Sequence, residues 1–83
     1  MVDSNSSKRA DRILDCIGLY CPMPVIRTNE EIDKLAVGKT LEVLADDSAA
    51  EEDLKAWAKR TGHKILKIEK TNEGIRFVIK KMK

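Results

Sequence analysis

The chain has 83 residues, 36% of them charged, with 16 Lys or Arg against 14 Asp or Glu and a formal net charge of +2. A chain this short buries only about 60% of its unfolded surface, so one small domain is expected, without an enclosed active site, and any chemistry must sit at the surface and be completed by a partner. The near-balanced charge describes a solvated surface and is not by itself a nucleic-acid signature. No apolar run approaches the ~20 residues of a membrane span and no secretory apolar segment follows the start, so a cytoplasmic protein is expected.

Residues 1–10 are polar and without an apolar period, so they read as a flexible tail ahead of a single domain over 11–83. Ile13-Leu14-Asp15-Cys16-Ile17 is short and apolar-rich, and Gly18 stops it; it reads as the first strand. The glycine permits a sharp reversal that delivers Cys21 to the edge of the sheet.

The stretch Gly18-Leu19-Tyr20-Cys21-Pro22-Met23-Pro24 breaks ordinary composition. Proline is tolerated in the first helical turn, where N–H groups have no intrahelical partner, so the two prolines pin a helix start at residue 22 and make Cys21 its N-cap. Helix N-termini favour a thiolate over a thiol, with Met23 and Val25 as the nearest free N–H donors. From a reference near ~8.5, a downward shift of one unit raises the ionised fraction at neutral pH from about 3% to about a quarter. That describes a nucleophilic or sulfur-carrying cysteine. The alternative is a small buried cysteine beside a stiffened turn.

The first helix is expected over 22–36, burying Val25, Ile32 and Leu35 with Ile26 at the margin, and with a Glu30–Lys34 pair on its wet side. Arg27 is either a solvated position or a cation that steers anionic sulfur species. Val37-Gly38-Lys39 ends the helix, and Thr40-Leu41-Glu42-Val43-Leu44-Ala45 alternates as the second strand. Asp46-Asp47-Ser48 breaks it and caps a second helix, with Ser48 and Glu51 at capping-box spacing. Ala50, Leu54, Trp57, Ala58 and Thr61 form its apolar stripe, Trp57 being a core anchor, and Gly62 is suited to end it. His63, just beyond, reads as a structural hydrogen-bonding group or a general base. Lys64-Ile65-Leu66-Lys67-Ile68-Glu69 and Ile75-Arg76-Phe77-Val78-Ile79-Lys80 flank a turn at 71–74 and form a hairpin with Ile75, Phe77 and Ile79 toward the core. The order βαβαββ with right-handed crossovers gives an α+β fold, a two-layer sandwich of a four-stranded mixed sheet with two helices on one face.

Two cysteines, Cys16 and Cys21, and one histidine are too few for a structural zinc site, and no metal or cofactor is expected. A structural disulfide is not expected in a cytosolic chain, while a redox pair in which Cys16 resolves a modified Cys21 stays open.

The run Leu14-Asp15-Cys16-Ile17-Gly18-Leu19-Tyr20-Cys21-Pro22-Met23-Pro24 resembles the L-D-x-x-G-L-x-C-P-x-P signature of the TusA (SirA-like) sulfur carriers. The likeness continues through Gly38-Lys39-Thr40-Leu41-Glu42-Val43, Ala45-Asp46-Asp47 and Ala56-Trp57-Ala58-Lys59-Arg60-Thr61-Gly62-His63, covering essentially everything after the tail. The resemblance implies the same two-layer fold and a Cys21 that receives sulfur as a persulfide and hands it on. Gly18, Leu19, Pro22 and Pro24 then position the loop, and Tyr20, Met23, Arg27, Asp46 and Asp47 are the candidate partner contacts. The implied partners are a cysteine desulfurase or rhodanese-type donor and a downstream acceptor, serving tRNA thiolation, cofactor synthesis or sulfur metabolism. Serine replaces a frequent proline at position 48, and Asn29, Glu30 and Glu31 stand where some members are basic. Cys16 occurs in only some members, so the resemblance gives it no role.

Two other readings compete. Lys55, Lys59, Arg60, Lys64 and Lys67 allow a basic RNA-binding patch, but only Tyr20, Trp57 and Phe77 are aromatic and two of these belong to the core, so a stacking platform is missing and direct nucleic-acid binding is not expected. The third reading is a thiol–disulfide regulator built on Cys16 and Cys21.

Overall fold

A computed structural model describes residues 10–83, so the tail expected over 1–10 lies outside the described residues apart from Ala10. The elements are β1 (Arg12–Cys16), α1 (Met23–Asp33), β2 (Thr40–Ala45), α2 (Ala50–Thr61), β3 (Lys64–Thr71) and β4 (Gly74–Lys80). The sheet order is β1-β2-β4-β3. β1 runs parallel to β2, with Cys16 opposite Ala45, whereas β2 and β3 are both antiparallel to β4. This is the expected α+β sandwich: a mixed four-stranded sheet with two helices against one face.

The core forms where strand alternation meets the helical stripes. Leu41, Val43 and Ala45 of β2 and Phe77 and Ile79 of β4 are fully buried, and Cys16 ends β1 in the same layer. Ala50, Leu54, Trp57 and Ala58 of α2 cover them, as their spacing predicts. Thr61, the last residue of that stripe, is half-buried and donates its hydroxyl to the Trp57 carbonyl at 2.8 Å. Trp57 also donates its indole N–H to Asn29 Oδ1 at 3.1 Å, which ties α2 to α1. On the open face of the sheet, Arg76 pairs with Glu69 and with Glu42, keeping that surface hydrated.

Several expectations shift. β1 begins one residue early and ends at Cys16, because the Asp15 carboxylate takes the Ile17 N–H at 2.9 Å and turns the chain out of the strand. α1 is shorter than 22–36: at its C-terminus Lys34 and Leu35 donate to Glu31 and Ile32, three residues back, and the Lys81 ammonium donates to the Leu35 carbonyl at 2.6 Å. Its buried face is Pro24, Thr28 and Ile32; Val25 and Leu35 are half-buried and Ile26 is exposed. Lys34 pairs with Glu31 rather than Glu30, and Glu30 meets Arg27.

The expected Ser48–Glu51 capping box is not formed. The Asp47 side chain takes the Ala49 N–H at 3.2 Å and the Asp47 carbonyl takes that of Ala50 at 3.0 Å, so α2 starts from an aspartate turn with Ala49 at the cap position. Gly62 ends α2 in the left-handed conformation, φ 85°, as expected. In β3 a register shift between Ile65 and Lys67 leaves Leu66 exposed and keeps Ile65 and Ile68, three residues apart, on the core side. His63 has the structural role: its Nδ1 accepts the Met82 N–H at 3.2 Å and its ring lies 5.4 Å from that of Trp57.

Candidate functional site

The site grows from the reversal between β1 and α1. Gly18 sits at φ 86°, a region that side-chain-bearing residues rarely adopt, so the turn needs its glycine. Its N–H donates to Asp46 Oδ1 at 2.9 Å, and the Leu19 N–H donates to the Cys16 carbonyl at 3.1 Å. Two residues on, the Cys21 N–H donates to Asp47 Oδ2 at 2.7 Å. Neighbouring carboxylates from the end of β2 thus grip the loop at two points and fix where the sulfur stands. Leu19 packs against the core from the same loop.

Prolines then start the helix, one residue later than expected. Pro22 is the cap residue, α1 begins at Met23, and the Cys21–Pro22 peptide is cis, so Cys21 precedes the cap instead of forming it. The Met23 N–H, expected to face the sulfur, donates to the Tyr20 carbonyl at 2.8 Å. The thiolate-favouring environment inferred for a capping cysteine is therefore not built. The Cys21 thiol is pushed above its ordinary value instead, first by the nearby Asp53 carboxylate, then by partial desolvation and by the negative charge of Asp47.

Cys21 is exposed, whereas Cys16 is buried in the core, and both thiols are free. Burial pushes the Cys16 thiol up as well. Around Cys21 the surface carries apolar side chains that the fold leaves uncovered: Tyr20 is 74% exposed, Met23 40% and Ile26 42%. Pro22 is exposed, while Pro24 is buried and anchors the first turn. Arg27, further along α1, is exposed beside Glu30.

The loop therefore brings together Gly18, Leu19, Tyr20, Cys21, Pro22, Asp46 and Asp47, with Met23 and Pro24 directly following. One residue that reading by type passed over is Asp53. It lies between Ala50 and Leu54 on the core-facing side of α2, and its Oδ2 is buried without a hydrogen-bond partner. The sequence does carry a signal: Ala50, Asp53, Leu54 and Trp57 share one helical stripe, which puts a carboxylate where apolar residues belong. Among the described residues no group of three or more His, Cys, Asp or Glu could hold a metal ion. No helix there is long and apolar enough to cross a membrane. What the arrangement offers is an accessible sulfur on a loop held by two carboxylates, open to attack by or on another sulfur.

Known proteins resemble this chain in sequence and in fold. The family model for the sulfurtransferase TusA matches residues 12–81. A protein of Archaeoglobus fulgidus named as a candidate sulfur carrier is 45% identical over 71 residues, covering 84% of this chain and 92% of its own. The sulfur carrier protein TusA of Allochromatium vinosum is 34% identical over 71 residues, covering 86% of this chain and 93% of its own. The crystal structure of a SirA-like protein from Desulfitobacterium hafniense superposes with a TM-score of 0.71 at 26% identity, over 83% of this chain and 93% of that one. With the family model spanning nearly all of the described fold and the cysteine loop inside it, the chain belongs to the TusA (SirA-like) family.

Proposed function

We propose that the protein is a sulfur carrier that accepts sulfur as a persulfide on Cys21 and relays it to an acceptor protein. The observation that carries this reading is the exposed Cys21 thiol on a loop held by Asp46 and Asp47, in a chain whose relatives are named sulfur carriers. In the loading step Cys21 Sγ attacks the outer sulfur of a donor persulfide, the donor S–S bond breaks, and the donor cysteine leaves with the electron pair and takes a proton. In the unloading step an acceptor thiolate attacks the outer sulfur and Cys21 leaves in the same way. Such exchange needs access to the sulfur along the S–S axis, and the exposed loop supplies it. Tyr20, Met23 and Ile26 form an apolar rim suited to a partner's surface, with Arg27, Asp46 and Asp47 at its edges. Partners on this reading are a cysteine desulfurase or rhodanese-type donor and a thiol-bearing acceptor, within the cytoplasm.

The test is a two-stage relay. The protein is loaded by a cysteine desulfurase with its cofactor and sulfur-labelled cysteine, separated from the donor, and mixed with an acceptor thiol. Label should pass through the wild type and through Cys16→Ala, and none should load onto Cys21→Ser. Loading of Cys21→Ser, or label that loads but cannot be discharged, contradicts the reading.

A further inference from the structure

The formal net charge of +2 hides a separation of sign. Carboxylates gather at the cysteine loop, where Asp46 and Asp47 hold the backbone. The far side of the molecule is basic. The sheet order β1-β2-β4-β3 puts β1, which leads into that loop, at one edge and β3 at the other. Lys64, Lys67 and Lys70 of β3 are all exposed.

Between β3 and the middle of α2 lies an open groove of about 550 Å³. Its floor is apolar, with Ala58 buried and Ile65 and Ile68 half-buried. Lys55, Lys64 and Lys67 rim it, and none of its lining residues is acidic among those described. Leu66, turned outward by the irregularity in β3, adds exposed apolar surface beside them. The rim charges are only partly compensated. Lys55 meets Glu51 at 2.9 Å, but Lys67 reaches Glu69 only at 3.9 Å, and Glu69 is held more closely by Arg76. Lys64 has no ion pair among the described residues.

Three kinds of occupant differ in how they fit. A second copy of β3 would bring two lysine-rich strands together, and the irregularity between Ile65 and Lys67 interrupts the regular edge such pairing needs. Single-stranded RNA would match the charge but find no free ring to stack on. The groove's one ring, His63, lies 5.4 Å from Trp57 and takes the Met82 N–H. An acidic protein segment matches both features, with carboxylates for the lysines and an apolar side chain for the floor. In extended form it can also bond to the outer backbone of β3, which has no neighbouring strand on that side.

We propose that this groove is a docking site for an acidic, extended segment of a partner protein. The segment seats an apolar side chain over Ala58, Ile65 and Ile68 and pairs its carboxylates with Lys64 and Lys67. The site lies at the sheet edge opposite β1, so a partner held there leaves the cysteine loop open to a second protein. It does not depend on any sulfur chemistry at Cys21.

The probe is a fluorescein-labelled peptide of alternating glutamate and leucine, titrated with the full chain and followed by fluorescence polarisation. It should bind more tightly than a glutamate–serine peptide, a lysine–leucine peptide or an oligouridine. Lys64→Glu combined with Lys67→Glu replaces two attractions by two repulsions at exposed positions and should weaken binding about tenfold. About 1 M salt, which screens charges beyond about 3 Å, should weaken the wild type as well. Cys21→Ser should bind like the wild type. Backbone amide shifts on adding the peptide should move at 55–58 and 64–68 and stay still at 18–24.

Equal binding of the glutamate–serine peptide overturns the proposal, as does an unchanged affinity in the double variant. Tighter binding of the oligouridine overturns it in favour of nucleic acid. Loss of binding in Cys21→Ser, or shifts confined to 18–24, overturns it by moving the site to the cysteine loop. Should the double variant not fold, the probe series and the wild-type shifts decide.

Discussion

Replacing Asp47 by alanine should show how much of the loop's order depends on one side chain. Its carboxylate accepts the Cys21 N–H at 2.7 Å and the Ala49 N–H at 3.2 Å, so a single residue joins the cysteine loop to the start of α2. Hydrogen bonds to a charged acceptor are worth about 1.5–3 kcal/mol each. The Cys21 bond is solvent-exposed and the longer Ala49 bond part-buried, so the pair together should contribute about 2 kcal/mol, near or below the low end. In a domain of this size that lowers Tm by about 8–16 °C. Asp47→Asn keeps a side-chain oxygen for one of the two donors and should lose about half as much. Urea titration followed by Trp57 fluorescence measures both, and an unchanged m-value would show that the native state alone is affected. A change below about 0.5 kcal/mol for Asp47→Ala would refute the claim that this carboxylate holds the loop, and would leave Asp47 as a surface residue.

Three further outcomes are expected. Tyr20→Ala should leave stability within about 0.5 kcal/mol, since the ring is 74% exposed, yet slow sulfur loading from a protein donor; equal loading would remove Tyr20 from the docking surface. Trp57→Ala empties the largest buried side chain and orphans Asn29, and should cost about 3–5 kcal/mol by circular-dichroism melts, a large share of the total for a small domain. His63, whose Nδ1 must stay unprotonated to accept the Met82 N–H, is held below its ordinary value chiefly by burial, with Lys81 adding to it. Its contribution to stability is therefore complete above the unfolded value of about 6.5. It is lost as pH falls from there toward the lower folded value, because the unfolded chain takes the proton first. Urea midpoints between pH 7.5 and 5.5 should fall in the wild type and flatten in His63→Asn; a flat wild-type curve would contradict this.

Much of the fold is written locally. Strict alternation in Leu41, Val43 and Ala45 and in Ile75, Phe77 and Ile79 marks two strands, and Gly62 after a 3.6-residue stripe marks the end of α2. Where side-chain type and position disagree, the local signal misleads. Thr28 is polar but fully buried between Pro24 and Ile32, and Leu66 is apolar but pushed outward by the irregularity in β3. The cysteine loop could be picked out by its prolines and glycine, but its chemistry could not. The Met23 N–H that would have favoured a thiolate is spent on the Tyr20 carbonyl, while the groups that set the thiol's state come from far along the chain. Asp46 reaches Gly18 across 28 residues and Asp47 reaches Cys21 across 26, and Asp53 arrives only because α2 packs with its first turns beside the loop. A helix N-terminus read alone predicts an acidic thiol; the carboxylates brought by the tertiary fold reverse it.

The most direct measurement is the intact mass of the protein after incubation with a cysteine desulfurase, its cofactor and cysteine, set beside Cys21→Ser. The wild type should gain the mass of one sulfur atom, lose it on treatment with a thiol reductant, and show no such gain when Cys21 is serine. No gain from several donors, while iodoacetamide reaches Cys21 freely, would contradict persulfide chemistry at this site.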